Sequence, residues 1–332
     1  MSLKLDSTAQ NKIGIVEAIR GIAAIAVCIF HFSKSNITFS GNSIWFQKIA
    51  SYGWLGVDAF FVLSGFIIPY SMIKGGYKLR LFFHFLLKRC LRIEPPYILS
   101  VILAIIIGLI VVKVPGFRGD SFQINPLQII SHIAYLPEHL GFKWLLPIYW
   151  TLEAEFHFYI LVGLTLPFLW KSQTHFFSGI SIALLSSFYF TLNVFIFMPL
   201  FIMGISVAAF KSERISQWML WVGLSVSFFA FLLKGHNPLM PAIGLLVSIL
   251  VSYFEFKTLV TNFLGKISFS VYLIHLFFTK IINYGGRFAD NSIKVWIVLL
   301  IAFAFTIIFS YLFYLLVERP SQIISRRIIY SN

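Results

Sequence analysis

Ten apolar stretches divide this chain almost from end to end, and no other feature limits its possible folds so sharply. They fall at about 13–32, 52–72, 95–112, 147–169, 176–192, 195–210, 216–233, 239–255, 267–283 and 294–317. Crossing a hydrocarbon layer of about 30 Å takes roughly 20 helical residues, and every backbone polar group inside it must be satisfied within the protein. Helices meet both demands. Composition agrees: 59% of the 332 residues are hydrophobic and 11% are charged, with a mean hydropathy of +0.87. That leaves too little charge to clothe a water-soluble globule. The expected fold is therefore all-α, a polytopic transmembrane helical bundle of about ten spans. The pair 176–192 and 195–210 could instead form a re-entrant hairpin. A tail over 1–12, a membrane domain over 13–320 and a second tail over 321–332 make up the expected organisation. The first apolar run is a full span with no A-x-A-like site after it, so no cleavable signal peptide is expected.

Orientation follows from the basic residues. Sixteen of the 26 Lys and Arg fall in the N-terminal tail, the even-numbered loops and the C-terminal tail, and seven in the odd-numbered loops. Because Lys and Arg collect on the cytoplasmic side, both termini are expected in the cytoplasm of a cell inner membrane. Lys74, Lys78, Arg80, Lys88, Arg89 and Arg92 dominate that asymmetry. Residues 79–94 alternate apolar with basic side chains and read as a helix at the interface. Residues 113–146, with Pro115, Gly116 and Pro137, are the longest non-spanning connection. Cys28 and Cys90 are too few for a disulfide framework. The net charge of +14 is dispersed among loops, which speaks for membrane orientation and anionic ligands and against nucleic acid.

Polar residues inside the spans carry the functional signal, since each charge in hydrocarbon costs at least about 2.5–3.5 kcal/mol. Arg20 and His31 lie eleven residues apart in IVEAIRGIAAIAVCIFHF, which puts them on one helix face about 16 Å apart. The bland alternative is a Glu17–Arg20 ion pair with an interfacial histidine. By depth, His31, Asp58 and Glu155 lie toward the outer side, whereas Glu17, Arg20, Arg89, Arg92 and Glu318 lie toward the cytoplasm. Ser268, Tyr272 and His275 reach inward from that cytoplasmic side. A basic inner mouth facing a histidine-bearing outer half suits an anionic donor and a hydroxyl acceptor. Histidine is the usual general base near neutral pH, and Asp58 or Glu155 could orient it. Arg89 and Arg92, at i and i+3, share a helix face, and guanidinium forks suit phosphates, although lipid anchoring would also explain them. Glu153 points away from Glu155 and can pair with His157 at i+4. His84, His132, His139, His175 and His236 read as loop or interfacial residues without a role. No metal motif, phosphate-binding glycine loop or G-x-S-x-G elbow occurs, so a Ser64 nucleophile has no support.

Six segments taken in order resemble the acyltransferase 3 family of integral membrane acyltransferases. VEAIRGIAAIAVCIFH carries the family's arginine, ten residues, histidine pattern as Arg20 and His31, and GVDAFFVLSGFII at 56–68 is close to its signature. KRCLRIEPPY is similar to the RxxRIxPxY element with Arg89 and Arg92, and YWTLEAEFHFY places the family glutamate at Glu155. LGKISFSVYLIHLF supplies Ser268, Tyr272 and His275, and YLLVERP closes the series with Glu318. Pro95, where the family usually has an aromatic residue, and Phe277, at a frequent proline, are the departures. The resemblance implies transfer of an acyl group, commonly acetyl from acetyl-CoA, to a hydroxyl of a carbohydrate, glycolipid or other cell-surface acceptor. It implies no metal. Some members add a periplasmic esterase-like domain; with twelve residues after Pro320, none is expected here. On this reading His31, Glu155 and Asp58 are catalytic, and Arg20, Arg89, Arg92, Ser268, Tyr272 and His275 bind the donor. The rival reading is a non-enzymatic carrier of a lipid-linked sugar or polysaccharide, since intramembrane charges at two depths suit that task as well.

Overall fold

The computed structural model describes residues 7–35, 37–39, 43–113 and 125–328, and 81% of the chain is helical, with no strand among the described residues. Parts of both predicted tails, and Pro115 and Gly116 of the long connection, lie outside the described residues. The main helices are α1 (Ser7–Ser33), α2 (Ile44–Ala50), α3 (Leu55–Lys74), α4 (Phe82–Val111), α5 (Pro126–Ile133), α6 (Trp150–Leu169) and α7 (Gln173–Tyr189). They continue with α8 (Asn193–Ile196), α9 (Met198–Lys211), α10 (Gln217–Leu233), α11 (Leu239–Tyr253), α12 (Leu259–Gly285), α13 (Ser292–Phe313) and α14 (Arg319–Arg326).

Each of the ten apolar stretches falls on a helix, but only six helical stretches are long and apolar enough to cross a membrane by themselves among the described residues. These are Gly14–Ser33, Ile44–Lys74, Leu79–Val111, Trp150–Leu169, Leu259–Phe288 and Ser292–Arg326. Helices α7, α9, α10 and α11 have 14 to 17 residues, which at 1.5 Å per residue reach only about 21–26 Å. The chain is thus a multi-pass helical membrane protein, with six full-length apolar helices among the described residues.

The expected separation of an interfacial helix over 79–94 from a span over 95–112 does not occur. Helix α4 runs unbroken through Pro95 and Pro96, so the basic stretch 82–94 and the following span are one element. The two prolines remove the amide donors that the carbonyls of Leu91 and Arg92 would otherwise receive. Breaking the helix inside an apolar bundle would orphan more backbone groups than two missing donors do. Arg89 and Arg92 consequently ride a membrane helix, Arg89 only 7% exposed, instead of lying at its surface.

Helix α3 is the hub, packing against α1, α6, α9 and α11. It meets α9 backbone to backbone: Gly65 lies against the carbonyl of Phe201, and Gly204 against that of Val62. A methyl group at either glycine would occupy the space of the opposing main chain. Small residues permit this approach where lipid supplies no hydrophobic drive for helices to associate. Helix α1 lies along α12 in the same manner, with Gly265 seated on the backbone of Glu17. A single π-helical turn, Tyr314–Glu318, joins α13 to α14 and turns Glu318 inward, where it is 2% exposed.

The connection between α4 and α6 is anchored by side chains that were expected to have no role. Asn125 caps α5 by accepting the amides of Leu127 and Gln128. His132 is fully buried; its Nδ1 donates to the Gln128 carbonyl at 2.9 Å, and its Nε2 accepts the Leu145 amide at 3.0 Å. His139 donates from Nε2 to Glu153 at 2.9 Å, closer than the anticipated partner His157 at 3.8 Å.

Burial holds the His132 pKa below the ordinary histidine value, and only the neutral ring can accept at Nε2. Its contribution to stability is therefore complete above the unfolded pKa of about 6.5 and is lost as pH falls from there through the lower folded-state value. Lowering the pH well below the ordinary histidine value of about 6.5, through the lower folded-state pKa, should release the Leu145 amide. Hydrogen exchange at Leu145, corrected for its intrinsic pH dependence, checks this; unchanged protection would refute it.

Candidate active site

Three arginines from two helices converge on one cavity of about 110 Å³ between α1, α3, α4, α6 and α12. Arg20 comes from α1, and Arg89 and Arg92 from successive turns of α4. The walls also carry Ser64, Glu155, Tyr159, Tyr272 and Glu318. A wider cavity of about 400 Å³ adjoins it, sharing Arg89, Arg92 and Gln322 and adding Lys88 and Arg326. Five cations thus line two joined cavities against two carboxylates. Like charges held this close repel unless an anion screens them, so the arrangement favours a polyanionic ligand.

Each arginine has a defined surrounding. Arg20 lies 3.6 Å from Glu17 on its own helix, which is the ion pair anticipated as the bland alternative. Its presence in the cavity wall shows that the pair and a cavity-lining position coexist. Arg89 donates to the Ser71 hydroxyl at 3.0 Å and stacks over Phe85 and Tyr159, with its guanidinium carbon 5.4 and 5.8 Å from the ring centroids. Stacking fixes the plane of the guanidinium before any ligand arrives. Glu318 accepts the Ser270 amide at 3.2 Å and its hydroxyl at 2.5 Å through Oε2, and the Gln322 amide at 2.9 Å through Oε1. Both oxygens of this buried carboxylate are therefore engaged, as burial of a charge requires.

Glu155 accepts the Ser64 hydroxyl at 2.8 Å and the Tyr159 hydroxyl at 2.6 Å, both at Oε1. The expectation that Glu155 or Asp58 sits beside His31 is not met. No hydrogen bond or ion pair joins His31 to either carboxylate among the described residues. Asp58 is 1% exposed, lies outside the cavity lining and leaves Oδ2 without a partner. His31 packs its ring against Phe30 and His275, at centroid distances of 5.0 and 5.2 Å. Both histidines stand outside the cavity lining.

Tyr272 connects the two regions. It lines the cavity, shares a 2.6 Å hydrogen bond with Thr151, and its ring lies 6.1 Å from that of His275. Ser268, one turn earlier on α12, is fully buried and donates to its own helix at the Gly265 carbonyl, 2.8 Å away, so it does not join the cavity. Tyr159 and Thr151 line the cavity, and both stand within the YWTLEAEFHFY segment, although no role was expected for either. Tyr159 was recoverable, since it stands at i+4 from Glu155 on one helix. Ser64 was visible only as an unsupported nucleophile, because its partner Glu155 is 91 residues away.

If Ser64 and Tyr159 hold one carboxylate oxygen jointly, their replacements should not be independent. Ser64→Ala and Tyr159→Phe should show a coupling of about 0.5–3 kcal/mol in a double-mutant cycle. Thermal unfolding in detergent would measure it, and strictly additive losses would exclude the shared contact.

A family model described as Acyltransferase domain matches residues 13–315, nearly the whole chain. No curated protein and no solved structure matches.

Proposed function

The chain belongs to this acyltransferase family, and from that premise we propose that it is an O-acyltransferase of the cell inner membrane. It takes an acyl group, acetyl in the first instance, from acyl-CoA and delivers it to a hydroxyl of a cell-surface carbohydrate or glycolipid. The observation that carries this reading is the convergence of Arg20, Arg89 and Arg92 on one cavity within an apolar bundle. Membership of an acyltransferase family speaks against the carrier alternative. Ten crossings with both termini cytoplasmic, supported by the Lys and Arg excess, would open the basic end of the cavities to cytoplasmic CoA.

In this mechanism the guanidinium groups bind the donor phosphates through paired N–H donors, and the preset plane of Arg89 reduces the ordering cost. The acyl end extends along α1 toward His31, about 16 Å further on. His31 removes the proton from the acceptor hydroxyl as its oxygen attacks the thioester carbonyl. The carbon–sulfur bond then breaks, and the leaving thiolate receives the proton from the imidazolium, so the base is regenerated. Glu155, with both hydroxyl contacts on Oε1, offers its second oxygen to ligand hydroxyls. Asp58, whose Oδ2 has no partner, is a second carboxylate available to the acceptor.

His31→Ala should abolish transfer of label from acetyl-labelled acetyl-CoA to envelope glycans while the protein remains inserted and folded. Retained transfer would remove His31 from the mechanism. Arg92→Lys should raise the acetyl-CoA KM about tenfold, equivalent to about 1.4 kcal/mol, because an ammonium cannot reproduce the forked contact. An unchanged donor dependence would count against phosphate binding at this position.

A further inference from the structure

Among the described residues, His275 is a histidine whose tautomer the surrounding backbone sets and whose second nitrogen is left with nothing to bind. Its Nδ1 lies 3.0 Å from the Val271 carbonyl and 2.8 Å from the Tyr272 carbonyl. Both partners are acceptors only, so Nδ1 carries the proton, and Nε2 presents a lone pair. The residue is fully buried, and Nε2 has no hydrogen-bond partner. A buried acceptor left unmet costs about 1–3 kcal/mol, which a fold does not carry without a return.

The neighbour able to meet it is His31. The ring centroids are 5.2 Å apart and the planes inclined at 40°. An imidazole nitrogen stands about 1 Å from its ring centroid, so facing nitrogens at this separation approach to about 3 Å, within hydrogen-bond range. A turn of the partly exposed His31 ring about its side-chain bonds aligns them. No hydrogen bond or ion pair joins His31 to Glu155 or Asp58 among the described residues.

We propose that His275 is the positioning residue for His31: its Nε2 accepts an N–H from the His31 imidazole and leaves the other His31 nitrogen unprotonated to meet the acceptor hydroxyl. The inference rests on His31 being the base. It assigns to a neutral imidazole the orienting task that a carboxylate performs in other acid–base pairs. His275 then acts through His31 and takes no part in holding the donor.

The decisive comparison is His275→Leu, which keeps bulk and removes the acceptor, against His275→Gln, whose amide oxygen can reach the Nε2 position. Both are assayed with His31→Ala in membranes supplied with labelled acetyl-CoA. His275→Leu should lower kcat about ten- to hundredfold with the acetyl-CoA KM unchanged, and His275→Gln should recover most of the loss. Equal activity in the Leu and Gln variants, or a raised KM with kcat intact, would overturn the assignment. An active His31→Ala would instead overturn the reading of His31 as base, so the two failures are distinguishable. The wild-type protein labelled with 15N at histidine supplies a readout independent of variants and donor. His275 should show a protonated Nδ1 and a hydrogen-bonded, unprotonated Nε2, and a proton on Nε2 would refute the proposal.

Discussion

Guanidinium groups packed between apolar helices govern this molecule, because an unanswered charge in a low-dielectric interior is the most costly feature a bundle can contain. The fold answers the three arginines in different ways. Arg20 has Glu17 on its own helix, Arg89 has a hydroxyl and two aromatic faces, and Glu155 and Glu318 share the cavity with all three. The carboxylates are in turn held by Ser64, Tyr159, Ser270 and Gln322. The result is a hydrogen-bonded polar core in which these three arginines and three carboxylates balance, and the surplus that a polyanionic donor would neutralise comes from Lys88 and Arg326 in the adjoining cavity.

Holding the polar core in register depends on how closely the helices approach. At the α3–α9 crossing two glycines let main chains touch, which sets the rotation of α3 and thereby aims Ser64 at Glu155. Helix α4 continues through two prolines, so the arginines move with the membrane span and not with a surface segment. The π-helical turn before α14 does the same for Glu318, advancing the helix by the fraction of a turn that brings the carboxylate to Ser270. In each case a local departure from regular helix or ordinary side-chain spacing serves the placement of a polar group.

The histidines show how identical side chains acquire different tasks from their neighbours. His132 has one nitrogen donating and one accepting, and it staples the loop between α4 and α6. His139 meets the buried Glu153. His275 has its donor tied to the backbone and its acceptor unmet, beside His31. Of these three, only the last arrangement leaves a directed lone pair for chemistry; the LGKISFSVYLIHLF motif singles out His275, but only the fold shows which side chain it faces.

Sequence alone determined the class of structure and most of the chemical cast. Ten apolar stretches dictate membrane helices, since no other backbone arrangement of this composition satisfies its hydrogen bonds in hydrocarbon. Helical spacing was enough to put Arg89 with Arg92 on one face and would have put Tyr159 beside Glu155. The motifs also identified Arg20, His31, Glu155 and Glu318 as residues to watch. Tertiary structure decided who meets whom: Ser64 with Glu155, Ser270 with Glu318, and His31 with His275 in place of a carboxylate. It also decided that the interfacial stretch and the following span would be one helix, α4. These outcomes turn on helix rotation and closest approach, which depend on glycine contacts between segments far apart in the chain, and a one-dimensional pattern carries no term for them.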